Sequence, residues 1–253
     1  MNGDLELREQ GLQPVDETTR ELLEDWFVPG DLYVLSQYST HNDSHSWYCC
    51  GDLSMVWDDA GGPQLVAIAV ERDHAMNQIR VTCTRHALEA TAHAWLIERG
   101  CPADPLLCHV EEPYYQPSDE QSLRTATKLR ESGTRYAGVD SYSSSGTDGE
   151  VWQLATDAQG GDLPVRLFVE TFGPGPLATL REGAFADTAA AYDWLHNRPG
   201  PLPDPPEELP AAGRRCADVA LARTHSGLPV TLSPAGDVQL PLPAVGLGTG
   251  RAR

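Results

Sequence analysis

Alternating and helically spaced apolar residues divide the chain into two runs of elements in the same order. In the first run, Leu22, Leu23, Trp26 and Phe27 recur at helical spacing behind Asp16, whose short carboxylate suits an N-cap, and Pro29 and Gly30 stop the helix. Strands follow. Residues 31–40 are rich in Tyr and Val, and residues 47–58 alternate Leu53, Met55 and Trp57. Residues 64–72 are apolar on both faces, as a central strand is, and residues 78–84 return beside them. Asp59-Ala-Gly-Gly62 predicts a hairpin turn ahead of the central strand. A closing helix spans residues 86–99, with Leu88, Ala92, Trp95 and Leu96 on one face.

The second run opens on the capping-box pattern Ser118-Asp-Glu-Gln121, which predicts a helix reaching Gly133. Strands at 151–157, 164–171 and 177–182 follow, with a turn at Gly160-Gly161 and a last connection stiffened by Pro174 and Pro176. The helix at 187–198 carries Ala191, Trp194 and Leu195 on one face.

Identity supports reading the runs as copies. Shifted by 99, residues 58–102 match thirteen of 45 positions, where average composition gives roughly three. The matches are Asp58, Gly61, Gly62, Val66, Val70, Glu71, Ala87, Ala90, Ala92, Trp95, Leu96, Arg99 and Pro102. Gly30 and Tyr33 match Gly133 and Tyr136 at a shift of 103, which assigns four extra residues to the loop after the first strand of copy one. The expected fold is α+β: a tandem pseudo-two-fold duplication of a helix–four-stranded antiparallel sheet–helix unit. Residues 1–104 form the first repeat, 105–117 a connector held by Tyr114 and Tyr115, and 118–198 the second repeat. The repeated Trp95 and Trp194 point to packing. The repeated Glu71/Glu170 and Arg99/Arg198 point to an ion pair tying strand end to helix end.

Composition changes at Pro199. Ten of the twenty prolines lie in the last 55 residues, which contain no aromatic residue, so 199–253 read as a Pro/Gly/Ala-rich linker and disordered C-terminal tail. No apolar run is long enough to span a membrane, and the acidic first thirty residues lack a signal-peptide core. Six scattered cysteines, at 49, 50, 83, 101, 108 and 216, fit reduced thiols and a cytoplasmic location, with Cys101 and Cys108 the one pair placed to bridge. A single lysine, Lys128, amid abundant Ala, Gly, Pro and Arg suggests a bacterial, high-GC gene.

Charge narrows the partners. The formal net charge is −19, and residues 1–198 carry all of it, with 32 acidic against 13 basic side chains. Such a chain repels nucleic acid and anionic lipid and attracts basic proteins. The one basic cluster, Arg124, Lys128, Arg130 and Arg135, is diluted by Glu120 and Glu131.

Candidate chemistry is sparse. Residues 39–50 gather His41, Asp43, His45, Cys49 and Cys50, ligand types suited to zinc, in the loop assigned to copy one alone. Their spacing is unlike a zinc motif, because adjacent cysteines on a strand point to opposite faces. No Gly-x-Ser-x-Gly elbow is present, residues 143–149 lack the lysine of a phosphate loop, and prolines in Gly173-Pro-Gly-Pro remove the N–H donors a pyrophosphate needs. Glu111-Glu112 and Asp58-Asp59 read as solvated loop carboxylates. The expectation is therefore a non-catalytic acidic protein without cofactor that binds a basic protein. Its layout and charge resemble those of small bacterial chaperone and immunity-type proteins in general. The alternative is a metal-dependent enzyme using zinc on His41, His45, Cys49 and Cys50.

Overall fold

Each run of elements builds a five-stranded mixed sheet, one strand more than alternation predicts. The computed structural model describes residues 11–26, 31–55, 61–107, 115–144, 149–173 and 175–206. The first unit comprises β1 (Gln13–Pro14), α1 (Glu17–Glu21, continued by a π-helical turn over Leu22–Trp26), β2 (Leu32–Ser39), β3 (His45–Asp52), β4 (Leu65–Asp73), β5 (Gln78–His86) and α2 (Glu89–Glu98). A short α3 (Ala103–Leu106) leads to the second unit: β6 (Gln116–Pro117), α4 (Glu120–Arg130), β7 (Tyr136–Ser143), β8 (Glu150–Asp157), β9 (Val165–Phe172), β10 (Leu177–Phe185) and α5 (Thr188–Asn197). The strand orders are β1-β5-β4-β3-β2 and β6-β10-β9-β8-β7. All neighbours are antiparallel except the two-residue strands, which run parallel to β5 and β10.

The two-residue strands are the same dipeptide, Gln-Pro, and each delivers the chain to a matching helix start. Asp16 accepts a hydrogen bond from the Thr19 amide at 2.8 Å, and Asp119 accepts one from the Ser122 amide at 2.8 Å. The cap of α4 is thus Asp119 rather than the expected Ser118. One turn on, Thr19 Oγ1 accepts the outward amide of Val81 at 3.4 Å, and Ser122 Oγ accepts that of Leu180 at 3.1 Å. These hydroxyls dock each opening helix on the last strand of its sheet.

Strand pairing corrects the repeat register. Val70 faces Val81 on β5, while Glu170 faces Leu180 on β10. With Val81 equivalent to Leu180, β4 and β9 align at a shift of 100 rather than 99. A one-residue slip exchanges the faces of a strand. Val66, Val70 and Glu71 therefore have no structural match in Val165, Val169 and Glu170; Val70 corresponds to Glu170. Cross-strand pairing places β3 and β8 at a shift of 105, so Asp52 corresponds to Asp157 and Trp47 to Trp152. Tyr38 stacks on Trp47 at 5.9 Å, as Tyr142 does on Trp152 at 6.1 Å. Trp95 and Trp194 remain equivalent, one on each closing helix.

The loop assignment changes with it. Residues 40–44 join β2 to β3, and residues 144–149 join β7 to β8, so copy one carries no insertion there. The extra residues lie between β3 and β4, in 53–64, where 56–60, including Trp57, Asp58 and Asp59, fall outside the described residues. Phe27, Pro29, Gly30, Tyr114, Glu111, Glu112, Cys108 and Cys216 also fall outside them.

Helices α2 and α4 pack on each other between the sheets. Ala87, Leu88 and Ala90 of the first unit join Leu129, Val151, Ala155, Phe168 and Leu180 of the second in one cluster. The closing helix of one unit thus meets the opening helix of the next. A two-fold relation pairs like with like; this contact is head-to-tail, and the expected pseudo-two-fold axis gives way to it. Beyond α5, residues 199–206 are fixed on the second sheet rather than forming free linker. Ala184 donates to the Pro203 carbonyl at 3.1 Å, and Trp194 Nε1 donates to that of Pro201 at 3.3 Å. The expected disordered tail from 207 onward lies outside the described residues.

Candidate functional site

The His/Cys stretch does not converge. His41 and His45 are exposed at the β2–β3 tip, where His45 Nδ1 lies 2.9 Å from Ser44 Oγ and its ring stacks on Trp47. Cys49 and Cys50 are both fully buried, in the clusters on opposite faces of the first sheet. Burial pushes the Cys49 thiol well above its ordinary range and that of Cys50 up to about 12, so both stay protonated at neutral pH and are poor ligands. Among the described residues no group of three or more His, Cys, Asp or Glu side chains is placed to hold a metal ion. Cys101 is a free, buried thiol.

The repeated arginines act differently from expectation. The Arg99 guanidinium lies 3.5 Å over the Trp95 ring, and that of Arg198 lies 4.4 Å over Trp194. Their carboxylate partners are Glu98 and Glu150, whereas Glu71 pairs with Arg80. What repeats is a cation stacked on the closing-helix tryptophan.

A buried Ser–His–Glu cluster lies between β2 and α2. His93 Nε2 is 2.9 Å from Ser36 Oγ and 3.2 Å from Glu89 Oε1. A nucleophile relay needs the acid on one ring nitrogen and the serine on the other. Here both partners share Nε2, and Ser36 is fully buried, so the cluster fastens α2 to the sheet rather than activating a hydroxyl.

The residues that do converge line a cavity of about 220 Å³ between the units. Tyr33, Leu35, Asp52 and Leu65 come from the first sheet, Leu53 and Gln64 from the β3–β4 connection, and Ala87 and Glu89 from the start of α2. Tyr115 precedes β6, and Ser143, Ser144, Val151, Glu170 and Phe172 come from the second sheet. Register explains this last set: Ser143 pairs with Val151 and Val151 with Glu170, so the three side chains form one row on one face. Tyr33 is held flat across Gly51, where a Cβ would lie 2.2 Å from the ring.

Three carboxyl groups face this cavity, those of Glu170, Glu89 and Asp52. Burial, and secondarily the Glu89 charge, raise the Glu170 carboxyl to about 7. Glu89 sits in the first turn of α2, where the helix dipole favours its charge, and it also contacts His93. Asp52 is neutralised by Arg85 at 2.7 Å. Ser143 is 2% exposed, and neither its Oγ nor the buried Ser144 Oγ has a hydrogen-bond partner among the described residues. The sequence carried one visible sign of the site, the glutamate at 170, but matched it to Glu71. In the correct register it replaces a buried valine.

Comparison with protein-family models, with curated proteins and with solved structures finds no match. Among the described residues no helix is long and apolar enough to cross a membrane.

Proposed function

We propose that the chain is a non-catalytic, cytoplasmic binding protein that engages a basic protein, in the manner of a chaperone, immunity protein or inhibitor, and does not bind nucleic acid. The observation that supports this is how the cations are used. Among the described residues every arginine and lysine except Arg130 lies within 4.0 Å of a carboxylate. Cations already matched inside the chain leave an unmatched surplus of carboxylates, including exposed Asp73, Asp104, Asp162 and Asp204. Surplus negative charge accelerates and selects association with basic surfaces, and salt weakens it. The shared strand order, the Gln-Pro strands and the paired helix caps further support reading the two units as tandem copies of one ancestral unit.

Affinity capture at low salt and again at ~0.5 M, where screening acts within a few ångström, tests the reading. The expected result is one basic protein, lost at high salt, whose complex re-forms from purified components. Turnover of a small-molecule substrate with no such partner overturns it.

A further inference from the structure

The cavity between the units has a chemistry of its own, separate from the acidic exterior. Its wall joins two carboxyl groups, Glu89 and Glu170, to the aromatic faces of Tyr33, Tyr115 and Phe172, with Tyr115 and Phe172 in ring contact at 4.4 Å. Carboxylates with aromatic walls are the complement of an organic cation, through charge and through the ring quadrupole. The second, independent sign is the buried Ser143 hydroxyl. A hydroxyl removed from water without a partner costs roughly 1–3 kcal/mol, and native structures rarely leave one in that state without use. Ser143 and Glu170 stand two strands apart in one row, about 10 Å at ordinary strand spacing, so a short molecule reaches both.

We propose that this cavity is a binding site for a small organic cation, an alkylammonium or guanidinium group, held by Glu170 and Glu89, flanked by the aromatic rings and hydrogen-bonded by Ser143. A volume of about 220 Å³ equals roughly seven waters at ~30 Å³ each, enough for a head group and a short alkyl stem but not for a nucleotide. The same head group is found on free amines and on the lysine and arginine side chains of a protein, and the test separates these sources. The site stands whether or not the acidic exterior recruits a protein.

Binding carries a pH signature. The groups facing Glu170 are Glu89 of α2, Tyr33 of β2, Tyr115 ahead of β6, and Asp52 of β3 with its partner Arg85 of β5; Arg130 of α4 interacts with Glu89 from beyond the lining. Of these, Glu170 is the group raised into the neutral range, so it loses its proton as the cation enters. Affinity therefore rises from pH 6 to pH 8, with proton release on binding near pH 7.

The experiment is calorimetric titration of the full chain with butylammonium, N-methylguanidinium, blocked Ala-Lys-Ala and Ala-Arg-Ala tripeptides, and neutral 1-pentanol. Saturable binding of the free cations but not the tripeptides supports the site with a free amine or guanidine as occupant. Tighter binding of a tripeptide supports it with a partner's side chain. In either case Glu170→Gln weakens binding about tenfold and removes the pH dependence, while Ser143→Ala weakens it several-fold. Equal binding of pentanol, unchanged affinity in Glu170→Gln, or no binding of any cation at pH 8 overturns the proposal. Glu170→Gln removes a charge that burial disfavours, so a folding failure does not obscure the result.

Discussion

The two sheets share a strand order and differ in what fills the face beneath the opening helix. In the first, Val66, Ile68, Val70, Ile79, Val81 and Cys50 form an apolar cluster, with half-buried Cys83 packed against it. In the second, the positions of Val66 and Cys83 hold Arg166 and Glu182. Arg166, 2% exposed, forms ion pairs with Asp157 at 3.0 Å and Glu182 at 3.1 Å; Arg135 joins at Asp157 and Lys128 at Glu182. Lys128 and Arg135 also flank the Tyr136 ring. One topology thus accepts a hydrocarbon core or an ionic one. The ionic version asks more of each member, because losing one charge strands its partners in a low-dielectric interior.

The equivalent aspartates separate the two cores most sharply. Asp157→Ala should cost about 3–5 kcal/mol, since it removes the carboxylate that Arg166 and Arg135 share and leaves Glu182 alone to balance the buried Arg166. Asp52→Ala, which releases only the half-buried Arg85, should cost about 1–3 kcal/mol. Urea unfolding of both variants reads the difference, and equal costs would mean that the network contributes nothing beyond a single pair. Acid should discriminate as well. Burial works against the Asp157 carboxylate, but Arg135, the Gln159 amide and Arg166 prevail and hold its pKa below the ordinary 3.8. The stability it supplies is present above that value and disappears as pH falls through the lowered one, so wild type should lose more stability on acidification than Asp157→Asn.

Glu170 and Val70 occupy one position with opposite consequences. The Glu170 carboxyl is raised from 4.5 to about 7, so its contribution is complete below 4.5 and is lost as pH rises through 7. Grafting the first sheet's residue, Glu170→Val, should stabilise the protein by on the order of 2 kcal/mol at pH 8, with a smaller gain at pH 5. A gain independent of pH in thermal melts would assign the effect to packing instead. The smallest contrast lies at the docking hydroxyls. Ser122→Ala should cost about 1–2 kcal/mol and Thr19→Ala less, following their 3.1 and 3.4 Å bonds to strand amides. Protection of the Leu180 and Val81 amides against hydrogen exchange would report the same order.

Helices and hairpins were legible because their periods are local. Leu88, Ala92, Trp95 and Leu96 announce α2, and the apolar run 65–70 announces a central strand. The short parallel edge strands were hidden, since Gln13-Pro14 has no strand propensity and pairs only through a chain neighbour 65 residues away. The repeated Gln-Pro was the available sign. The ionic core was hidden for another reason: in Val165-Arg-Leu-Phe-Val-Glu170 the charged residues alternate as an outward face does, and only the packing of α4 turns that face inward. The cavity required both the corrected register and the head-to-tail docking, neither of which an ungapped comparison carries.

That docking has a consequence for how many units the architecture can hold. Head-to-tail contacts have no internal reason to close, so a third unit would dock on α5 as the second does on α2, and further chains would extend the array. The equivalent positions show what stops it. Where the start of α2 puts Leu88 and Ala90 into the shared cluster, the start of α5 carries Asp187 and Ala189, both exposed. The start of α5 is thus polar where that of α2 is apolar, and an apolar residue at 187 should favour head-to-tail association of further chains.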